Sequence, residues 1–306
     1  VNVLAIDNNE AMLAKAEEKI KQKKLNGKVE FLKQDINKLD LDKGIFDGAC
    51  MINVLYWLDK PYAALDNIYA ALQEGGIFVV SGPKPNQNLK ILLKTIDKEF
   101  QIKGIFDRFQ KDIQIVGEVN KILERNIKHS FTTERLQEIL LDFVGFSDVI
   151  ATDLMAGYRT YLGQGYFLAA KKGIDYTNLP PEKIKIRFAK EDEIEKTYKI
   201  RYHFTKERLG ILESTPEQNA KMMEWDEYDK NSYHFLAEHN NKILAIIRFV
   251  SDSKELKLPA DAQHKMDYLR HRSNVIWEPG RWIALPFAPR GTGRKVLRAG
   301  YEYAKK

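Results

Sequence analysis

The stretch Phe46–Pro83, FDGACMINVLYWLDKPYAALDNIYAALQEGGIFVVSGP, decides the fold of the amino-terminal part of this chain. The apolar run Ile45–Asn53 predicts a strand, and Ile77–Ser81 predicts a second, buried strand. Between them, apolar residues recur at i, i+3, i+4 and i+7, namely Leu65, Ile68, Tyr69 and Leu72. This spacing predicts a helix with one apolar face, which the pair Gly75-Gly76 is expected to end in a left-handed cap. A strand, a covering helix and a further strand form a βαβ unit, so we expect a parallel sheet.

Polar residues follow the predicted strands where a parallel sheet places its ligands, at the carboxyl ends. Asn53 follows the first of these strands, with Tyr56 and Trp57 in the next loop. Upstream, Val1–Ile6 predicts a strand that ends at Asp7 and leads into a helix over residues 9–24, and the strand Val29–Leu32 is followed by Asp35. An acid at the end of a strand can accept hydrogen bonds from a ribose diol. A lone acid there is more often a helix N-cap, but the matching positions of Asp35 and Asn53 favour a ligand site.

In order and spacing, residues 1–173 resemble the class I S-adenosylmethionine-dependent methyltransferases that act on small molecules. The resemblance implies an α/β, Rossmann-like sheet that binds S-adenosylmethionine, with a small-molecule substrate as methyl acceptor. It assigns the ribose to Asp7, the adenine edge to Asp35 and Ile36, the donor-side loop to Asn53, the acceptor side to Tyr56 and Trp57, and a lid contact to Tyr158 or Tyr161.

The end of this segment fits the same family. Thr132 or Thr133 is expected to cap a helix that ends at Gly145. Asp148–Tyr158 and Tyr166–Lys171 are expected to form a closing hairpin. The family's first strand and glycine-rich loop would precede Val1, so we expect the sheet to be truncated at its amino end and the chain to be a fragment.

Composition sets the outer bounds. A chain of 306 residues with 44% hydrophobic and 30% charged residues is typical of a globular protein with two domains. No apolar stretch is long enough to predict a transmembrane segment. The single Cys50 is expected to be buried in its strand, and a cytoplasmic location is expected. The composition shift and Pro180-Pro181 predict domains at 1–173 and 184–306 joined by a linker at 174–183.

The second segment has its own α/β pattern. The sequence predicts a strand at Ile184–Phe188, a helix at Glu193–Leu209 and a hairpin of Tyr233–Glu238 with Lys242–Val250 around Asn240-Asn241. A strand at Val275–Leu285 follows. The segment Pro289–Lys295 is then a basic, glycine-containing loop that leads into a helix, an arrangement that can bind a pyrophosphate or phosphopantetheine.

Charged and aromatic residues in this segment follow, in order, the pattern of the autoinducer (acyl-homoserine lactone) synthases and related N-acyl amino acid synthases. These families share the acetyltransferase core called GNAT. The resemblance implies an incomplete GNAT-like domain that uses an acyl-carrier-protein or coenzyme A thioester to acylate an amine or amino acid. It assigns amine orientation and proton transfer to Asp226, Asp229 and Glu278, the geometry of the acidic loop to Arg248 and Arg281, the amine pocket to Phe204 with Arg201, and the thioester donor to Arg290 and Gly293.

Other interpretations remain open for both segments. Glu278 and Arg281 alone are equally typical of a strand-edge ion pair. The first segment is alternatively a degenerate, non-catalytic docking module, with activity only in the second. The histidines and Cys50 lack metal-ligand spacing, so no metal is expected. The basic run around Arg270 lacks the interleaved aromatics of a nucleic-acid surface, so it predicts either a solvated loop or a contact with an acyl carrier protein.

Overall fold

The computed structural model describes residues 2–25, 27–39, 41–85, 87–152, 154–155, 158–159, 163–273 and 276–305, with backbone alone at 89, 122–124, 154–155 and 158–159. The chain divides into two compact units. Unit 1 comprises Val1–Leu141 with Phe146–Gly173, and unit 2 comprises Asp142–Gly145 with Ile174–Lys306. Within the described ranges, no helix is long and apolar enough to cross a membrane.

Unit 1 alternates strands and helices along its first half and ends in antiparallel strands. Its elements are β1 (Val3–Asp7), α1 (Glu10–Gln22), β2 (Val29–Lys33), β3 (Phe46–Ile52), α2 (Pro61–Ala71), β4 (Leu72–Pro83), α3 (Leu89–Ile102), α4 (Phe106–Glu124), α5 (Thr133–Glu138, continued as a π-helix over Ile139–Val144), β5 (Asp148–Thr152), β6 (Leu154–Met155), β7 (Tyr158–Arg159) and β8 (Gly165–Lys171).

The strands of unit 1 form a mixed arrangement. Strands β1 and β2 pair in parallel as a two-stranded sheet. A four-stranded sheet has the order β3-β4-β8-β5, in which β3 and β4 are parallel and β8 runs antiparallel to both of its neighbours. The predicted βαβ unit and the closing hairpin are therefore confirmed. Strands β1 and β3 each keep one edge to which no described strand is paired.

The core of unit 1 lies between the four-stranded sheet and its helices. Leu65 on α2, Phe78 on β4 and Leu136 on α5 are fully buried. Phe78 stacks on Phe146 with ring centroids 5.9 Å apart. Thr132 caps α5 by accepting a hydrogen bond from Arg135 N, and so the predicted cap is found at the first of the two threonines.

The end of α2 differs from the prediction. The helix ends at Ala71, and β4 begins at once with Leu72, so that the glycine pair lies inside the strand and caps no helix. The terminal carbonyl groups are satisfied from elsewhere in the unit, because the buried ammonium of Lys172 donates to Tyr69 O (2.9 Å) and Leu72 O (2.7 Å). A lysine more than a hundred positions away thus replaces the expected glycine cap.

Two further features of unit 1 depart from the sequence analysis. Cys50 is exposed, not buried, because β3 is an edge strand whose alternate residues Cys50 and Ile52 lie on an uncovered face. The sequence analysis assigned no element to residues 84–131, where the structure has the paired helices α3 and α4. Their contact includes the rings of Phe100 and Phe109, 5.4 Å apart.

Unit 2 is built on an antiparallel sheet. Its elements are β9 (Lys185–Phe188), α6 (Glu191–Tyr202, continued as a π-helix over His203–Arg208), α7 (Pro216–Lys221), β10 (Ser232–His239), β11 (Lys242–Ser251), α8 (Asp267–Arg270), β12 (Trp277–Ala284) and α9 (Thr292–Ala304). The four strands have the order β12-β11-β10-β9. The α/β class is confirmed for unit 1, whereas in unit 2 the helices accompany a sheet whose described strands all pair antiparallel.

Local sequence explains the turns of unit 2. Asn240 and Asn241 have φ of 48° and 62°, the left-handed values that a two-residue hairpin turn needs and that asparagine tolerates. Helix α9 packs on the sheet so closely that a Cβ at Gly300 would meet the Phe249 ring at 2.0 Å. In the predicted linker, Tyr176 and Leu179 are buried.

Candidate functional site

The acidic residues at the ends of β1 and β2 form turns that leave part of each carboxylate available. Asp7 Oδ1 accepts from Asn9 N (2.8 Å), and Asn9 in turn caps α1. Asp35 Oδ1 accepts from the backbone and the side chain of Asn37 (2.9 and 2.8 Å), and these bonds hold the pKa of this half-buried residue's carboxyl group below its ordinary value. Among the described contacts, the second oxygen of each carboxylate accepts no hydrogen bond. Both carboxylates can therefore accept hydroxyl or amino groups of a ligand.

Asn53 has an unusual backbone conformation where β3 ends. Its φ is 58°, a left-handed value that costs free energy for a residue other than glycine. Its N–H donates to Ser81 O (2.9 Å), and its side-chain Oδ1 is buried and has no hydrogen-bond partner within the described residues. A strained residue with an unsatisfied buried acceptor is typical of a ligand site.

The loops after β2 and β3 lie side by side. Asn37 Oδ1 accepts from Lys60 N (3.2 Å), and Ile36 O accepts from the side chain of Asn67 on α2 (3.3 Å). Because Gln34 N also donates to Asp7 O (3.2 Å), the ends of β1, β2 and β3 are joined by hydrogen bonds. The structure thus connects the loops that carry the predicted donor-site residues.

Tyr56 and Trp57 form the aromatic part of this site. Their rings are 5.1 Å apart, and both are half-buried. Tyr56 O accepts from the backbone N–H groups of Lys128 and His129 (3.1 and 3.2 Å), which ties the loop to the segment before α5. The predicted lid residue Tyr161 lies outside the described residues, and so does the side chain of Tyr158.

Unit 2 brings the predicted arginines and aspartates together in an ionic cluster, which we define as Arg201, Glu224, Asp226, Asp229, Arg248 and Arg281. Arg201 on α6 is fully buried and makes a two-pronged contact with Asp229 (2.6 and 3.0 Å). Arg248 on β11 reaches Asp226 (2.5 Å) and Asp229 (3.0 Å). Arg281 on β12 lies 3.2 Å from Asp226.

The loop that carries the two aspartates is closed by its own hydrogen bonds. Asp226 Oδ1 accepts from Tyr228 N (3.0 Å), and Asp229 Oδ2 accepts from Asp226 N (2.8 Å). The two aspartates of the Asp-x-x-Asp pattern therefore cap the short turn at Glu227–Asn231 and also pair with the arginines. Arg248 and Arg281 both contact Asp226 of this loop.

The charges in the ionic cluster outweigh the cost of burial. Burial by itself would raise the pKa of Asp229, but the hydrogen bonds and charge of Arg201, together with the charge of Arg248, hold that pKa below its ordinary value. Burial likewise opposes the charge on Arg201, yet Glu224 and Asp229 keep its pKa above the ordinary value. Both shifts favour the charged forms of Asp229 and Arg201.

Glu224 belongs to the ionic cluster, although the sequence analysis did not identify it. Its carboxylate pairs with the side chains of Arg201 and Arg281, and its backbone N–H donates to Tyr198 O (3.0 Å). The only sequence signal was its position two residues before Asp226. Its burial follows from a tertiary contact with α6, which the local pattern does not reveal.

Two residues assigned to the same function lie elsewhere. Glu278 was expected beside the aspartates, but its Oε2 accepts from Ala260 N (2.8 Å), and no described contact joins it to the ionic cluster. Phe204 lies on the π-helical turn after α6, where its ring contacts His203 and Arg208. For Glu278 the reason is the strand register, because this residue precedes the irregularity in β12 that turns Arg281 toward the cluster.

The loop before α9 has the predicted form. Gly291 has φ of 91°, and Thr292 N donates to Pro289 O (3.1 Å) at the start of the helix. Arg290 is exposed, whereas Gly293 is buried against Trp282, whose Nε1 would lie 2.8 Å from an added Cβ. The need for glycine at position 293 is thus explained by Trp282.

The basic run around Arg270 is partly neutralised. Arg270 pairs with Asp252 (2.7 Å), Asp261 (2.5 Å) and Asp267 (3.0 Å), so that this arginine holds its own loop together. Among the described residues, no group of three or more His, Cys, Asp or Glu side chains is arranged to hold a metal ion.

Comparison with known proteins gives a match at the amino end of the chain. Residues 1–80 match the family model described as a methyltransferase domain. A sterol 24-C-methyltransferase of Saccharomyces cerevisiae is 32% identical over 79 residues, which are 26% of this chain and 21% of that protein. The chain thus spans about a fifth of the length of this curated relative.

Solved structures also resemble part of the chain. One is a methyltransferase from Thermotoga maritima described as a possible histamine N-methyltransferase, with 19% identity, coverage of 55% of this chain and 72% of that chain, and a TM-score of 0.36. Another is a putative methyltransferase from Bacillus halodurans, with 14% identity, coverage of 57% and 84%, and a TM-score of 0.39. The family match supports the resemblance to S-adenosylmethionine-dependent methyltransferases for residues 1–80.

Proposed function

We propose that unit 1 transfers a methyl group from S-adenosylmethionine to a small-molecule acceptor. The observation that carries this proposal is the set of hydrogen bonds that joins the carboxyl ends of β1, β2 and β3, with the methyltransferase family match over the same residues. Ligands of parallel α/β sheets bind at such an edge.

The residues at this edge fit the donor. Asp7 would accept from the ribose hydroxyls, and Asp35 with the backbone of Ile36 would contact the adenine. The unsatisfied Oδ1 of Asn53 would face the same ligand. When bound, S-adenosylmethionine supplies a methyl group on a positively charged sulfur.

The chain's own contribution to transfer is alignment. Tyr56 and Trp57 would place the acceptor atom and exclude water, and holding two reactants in line can replace a strong base when the acceptor is already nucleophilic.

Photochemical cross-linking tests this proposal. Irradiation with S-adenosylmethionine carrying a radioactive methyl group is expected to label peptides from Asn53–Trp57, and excess S-adenosylhomocysteine is expected to suppress the label. Label that is absent, or that excess S-adenosylhomocysteine does not suppress, would favour the alternative in which unit 1 is a non-catalytic docking module.

We propose as a second function that unit 2 transfers an acyl group from an acyl-carrier-protein or coenzyme A thioester to an amine or amino acid. The observation that favours it is the ionic cluster beside the irregular register of β11 and β12. Arg281 and Trp282 together oppose the single residue Ile247 there, and such a bulge removes a backbone group from the regular ladder. A freed N–H is the kind of donor that stabilises the oxyanion of acyl transfer.

In this reaction the amine nitrogen bonds to the thioester carbonyl carbon as the carbon–sulfur bond breaks. Asp226, the acid of the cluster's loop with a partly exposed side chain, would accept hydrogen bonds from the amine. The amine proton leaves to water, and the thiolate takes up a proton. Arg290 and the N-terminus of α9 would face the donor's phosphates.

Thiol release from acyl-coenzyme A, with mixed amino acids as acceptors, tests the second function. The D226N variant is expected to lose at least about tenfold of the rate, because the amide carries no charge toward the amine. The E227Q variant changes an exposed acid one position along and is expected to retain the rate. Equal rates for both variants would contradict the role of Asp226.

A further inference from the structure

His234 is a buried histidine whose imidazole ring faces the ionic cluster. Its Nε2 lies 3.4 Å from Asp229 Oδ1, and each of the two side chains is 5% exposed. This Nε2 has no hydrogen-bond partner among the described residues. On the other side, the ring packs edge-on against Tyr198, with centroids 5.9 Å apart.

The surroundings of His234 are already balanced in charge. Arg201, Arg248 and Arg281 face the carboxylates of Glu224, Asp226 and Asp229, so that guanidinium and carboxylate groups are equal in number. In the register of β10 and β11, His234 lies directly opposite Arg248. A proton on His234 would therefore add an uncompensated positive charge inside the unit, which is costly.

The acceptor atom that a protonated His234 would need is already occupied. Asp229 Oδ1 lies 2.6 Å from Arg201 Nη1 and 3.0 Å from Arg248 Nη1. A charged imidazole could bond to this oxygen only by displacing one of the two arginines. Displacement would remove one of the two arginines that fix the Asp229 carboxylate, whose other oxygen, Oδ2, closes the loop by accepting from Asp226 N.

We propose that His234 is a positioning residue of the ionic cluster whose imidazole must stay neutral for Asp229 to keep both of its arginine partners, so that protonation opens the Asp226–Asp229 loop. Its consequence for acyl transfer rests on the second proposed function. The protonation-linked opening of the loop does not, and it is measured without any activity.

The electrostatic surroundings of His234 also favour the neutral imidazole. Burial, with smaller contributions from Arg201 and Arg248, lowers the pKa of His234 to about 4, although Asp229 opposes the shift. In the unfolded chain a histidine binds its proton near pH 6.5. The stabilising contribution of neutral His234 is thus complete above about pH 6.5 and is lost as the pH falls toward 4.

Two measurements on the 306-residue protein test the proposal. The first is an NMR titration of the His234 ring, assigned by its loss in the H234Q variant. We expect the ring to titrate near pH 4 together with the backbone amides of Asp226 and Asp229. Titration near pH 6.5, or titration that leaves those amides unchanged, would overturn the proposal.

The second measurement compares urea unfolding of unit 2 at pH 7 and pH 4.5. A W57F background leaves tryptophan only at positions 225, 277 and 282, all in unit 2. When the pH is lowered from 7 to 4.5, the unfolding equilibrium constant should rise by a larger factor in the parent than in H234Q. The two factors are expected to differ roughly 50-fold. The control H239Q changes a histidine on the same strand and should behave like the chain with His239.

The two measurements separate the possible outcomes. An equal pH dependence of H234Q and its parent would overturn the proposal. If H234Q does not fold, the NMR titration of the unsubstituted protein decides alone, with the ring assigned from labelled backbone connectivity. If the unsubstituted protein transfers no acyl group at neutral pH but titrates as expected, the second proposed function is rejected and the role of His234 stands.

Discussion

At the residue scale, the candidate donor site depends on one strained position. Asn53 has a left-handed φ of 58° and a buried amide oxygen without a described partner. Asparagine tolerates this conformation better than most residues, and glycine adopts it without strain. Conformation and chemistry can therefore be separated by substitution.

We expect N53G to leave the free energy of unfolding within about 0.5 kcal/mol of the parent, and N53A to lower it by about 1 kcal/mol, since alanine is strained at positive φ. Both variants remove the amide and should weaken binding of S-adenosylhomocysteine to a similar extent. Urea unfolding and calorimetry make the comparison. Undiminished binding by the stable N53G variant would exclude a ligand contact by this side chain.

A buried charge decides the prediction for Glu224. The E224Q change leaves Arg201, which is fully buried, without one of the two carboxylates to which it donates hydrogen bonds. Breaking such a pair by removing one member costs about 3–5 kcal/mol. Urea unfolding followed by tryptophan fluorescence should show this loss for E224Q, whereas E227Q, at an exposed acid of the same loop, should show less than about 0.5 kcal/mol.

An equal and small loss for E224Q and E227Q would mean that Glu224 does not hold Arg201. The sequence predicted Arg201, Asp226, Asp229, Arg248 and Arg281 from a family pattern, and the structure brings these five together. It could not predict Glu224 or His234, because their roles arise from burial against α6 and β11, which no local pattern encodes.

At the scale of single elements, strands and amphipathic helices followed from periodicity. Helix α2 and strand β4 were predicted because apolar residues at helical spacing up to Leu72 are followed by the continuous apolar run that begins at Ile77. The predicted end of α2 was wrong because a tertiary contact, and not the glycine pair, satisfies the carbonyl groups at the end of the helix. Lys172, at the end of the sheet hairpin, supplies the cap that the glycines were expected to provide.

Replacement of Lys172 by methionine tests this cap. The K172M variant keeps the buried apolar stem but leaves Tyr69 O and Leu72 O without the ammonium donor, which should cost about 2–3 kcal/mol of unfolding free energy. The K171M variant alters an exposed lysine at the neighbouring position and serves as the control. Equal stability of the two variants in urea would show that the helix end needs no ammonium donor.

At the scale of the whole molecule, the sequence predicted the α/β class of unit 1 and the order of the main strands in both units. Helices α3 and α4 were not predicted, although Leu92, Ile96 and Phe100 recur at helical spacing in α3. The sequence analysis also placed Cys50 in the interior, since an apolar strand does not reveal whether it lies at a sheet edge.

The two units carry separate chemistry in this account. Unit 1 has the features of a methyl-donor site at the ends of β1, β2 and β3. Unit 2 has an ionic cluster, for which an amine-orienting role is proposed. The methyl-donor site is the central claim, because the family match covers its residues.

Calorimetric titration of S-adenosylhomocysteine into the longest form of the polypeptide that its gene encodes tests that claim most directly. D7N keeps the hydrogen bond to Asn9 N but loses the charge that would bind the ribose, and D42N makes the same change at an exposed loop acid. The account predicts saturable binding that weakens about tenfold in D7N and is unchanged in D42N. No saturable binding by the folded protein, or equal affinities of D7N and its parent, would contradict it.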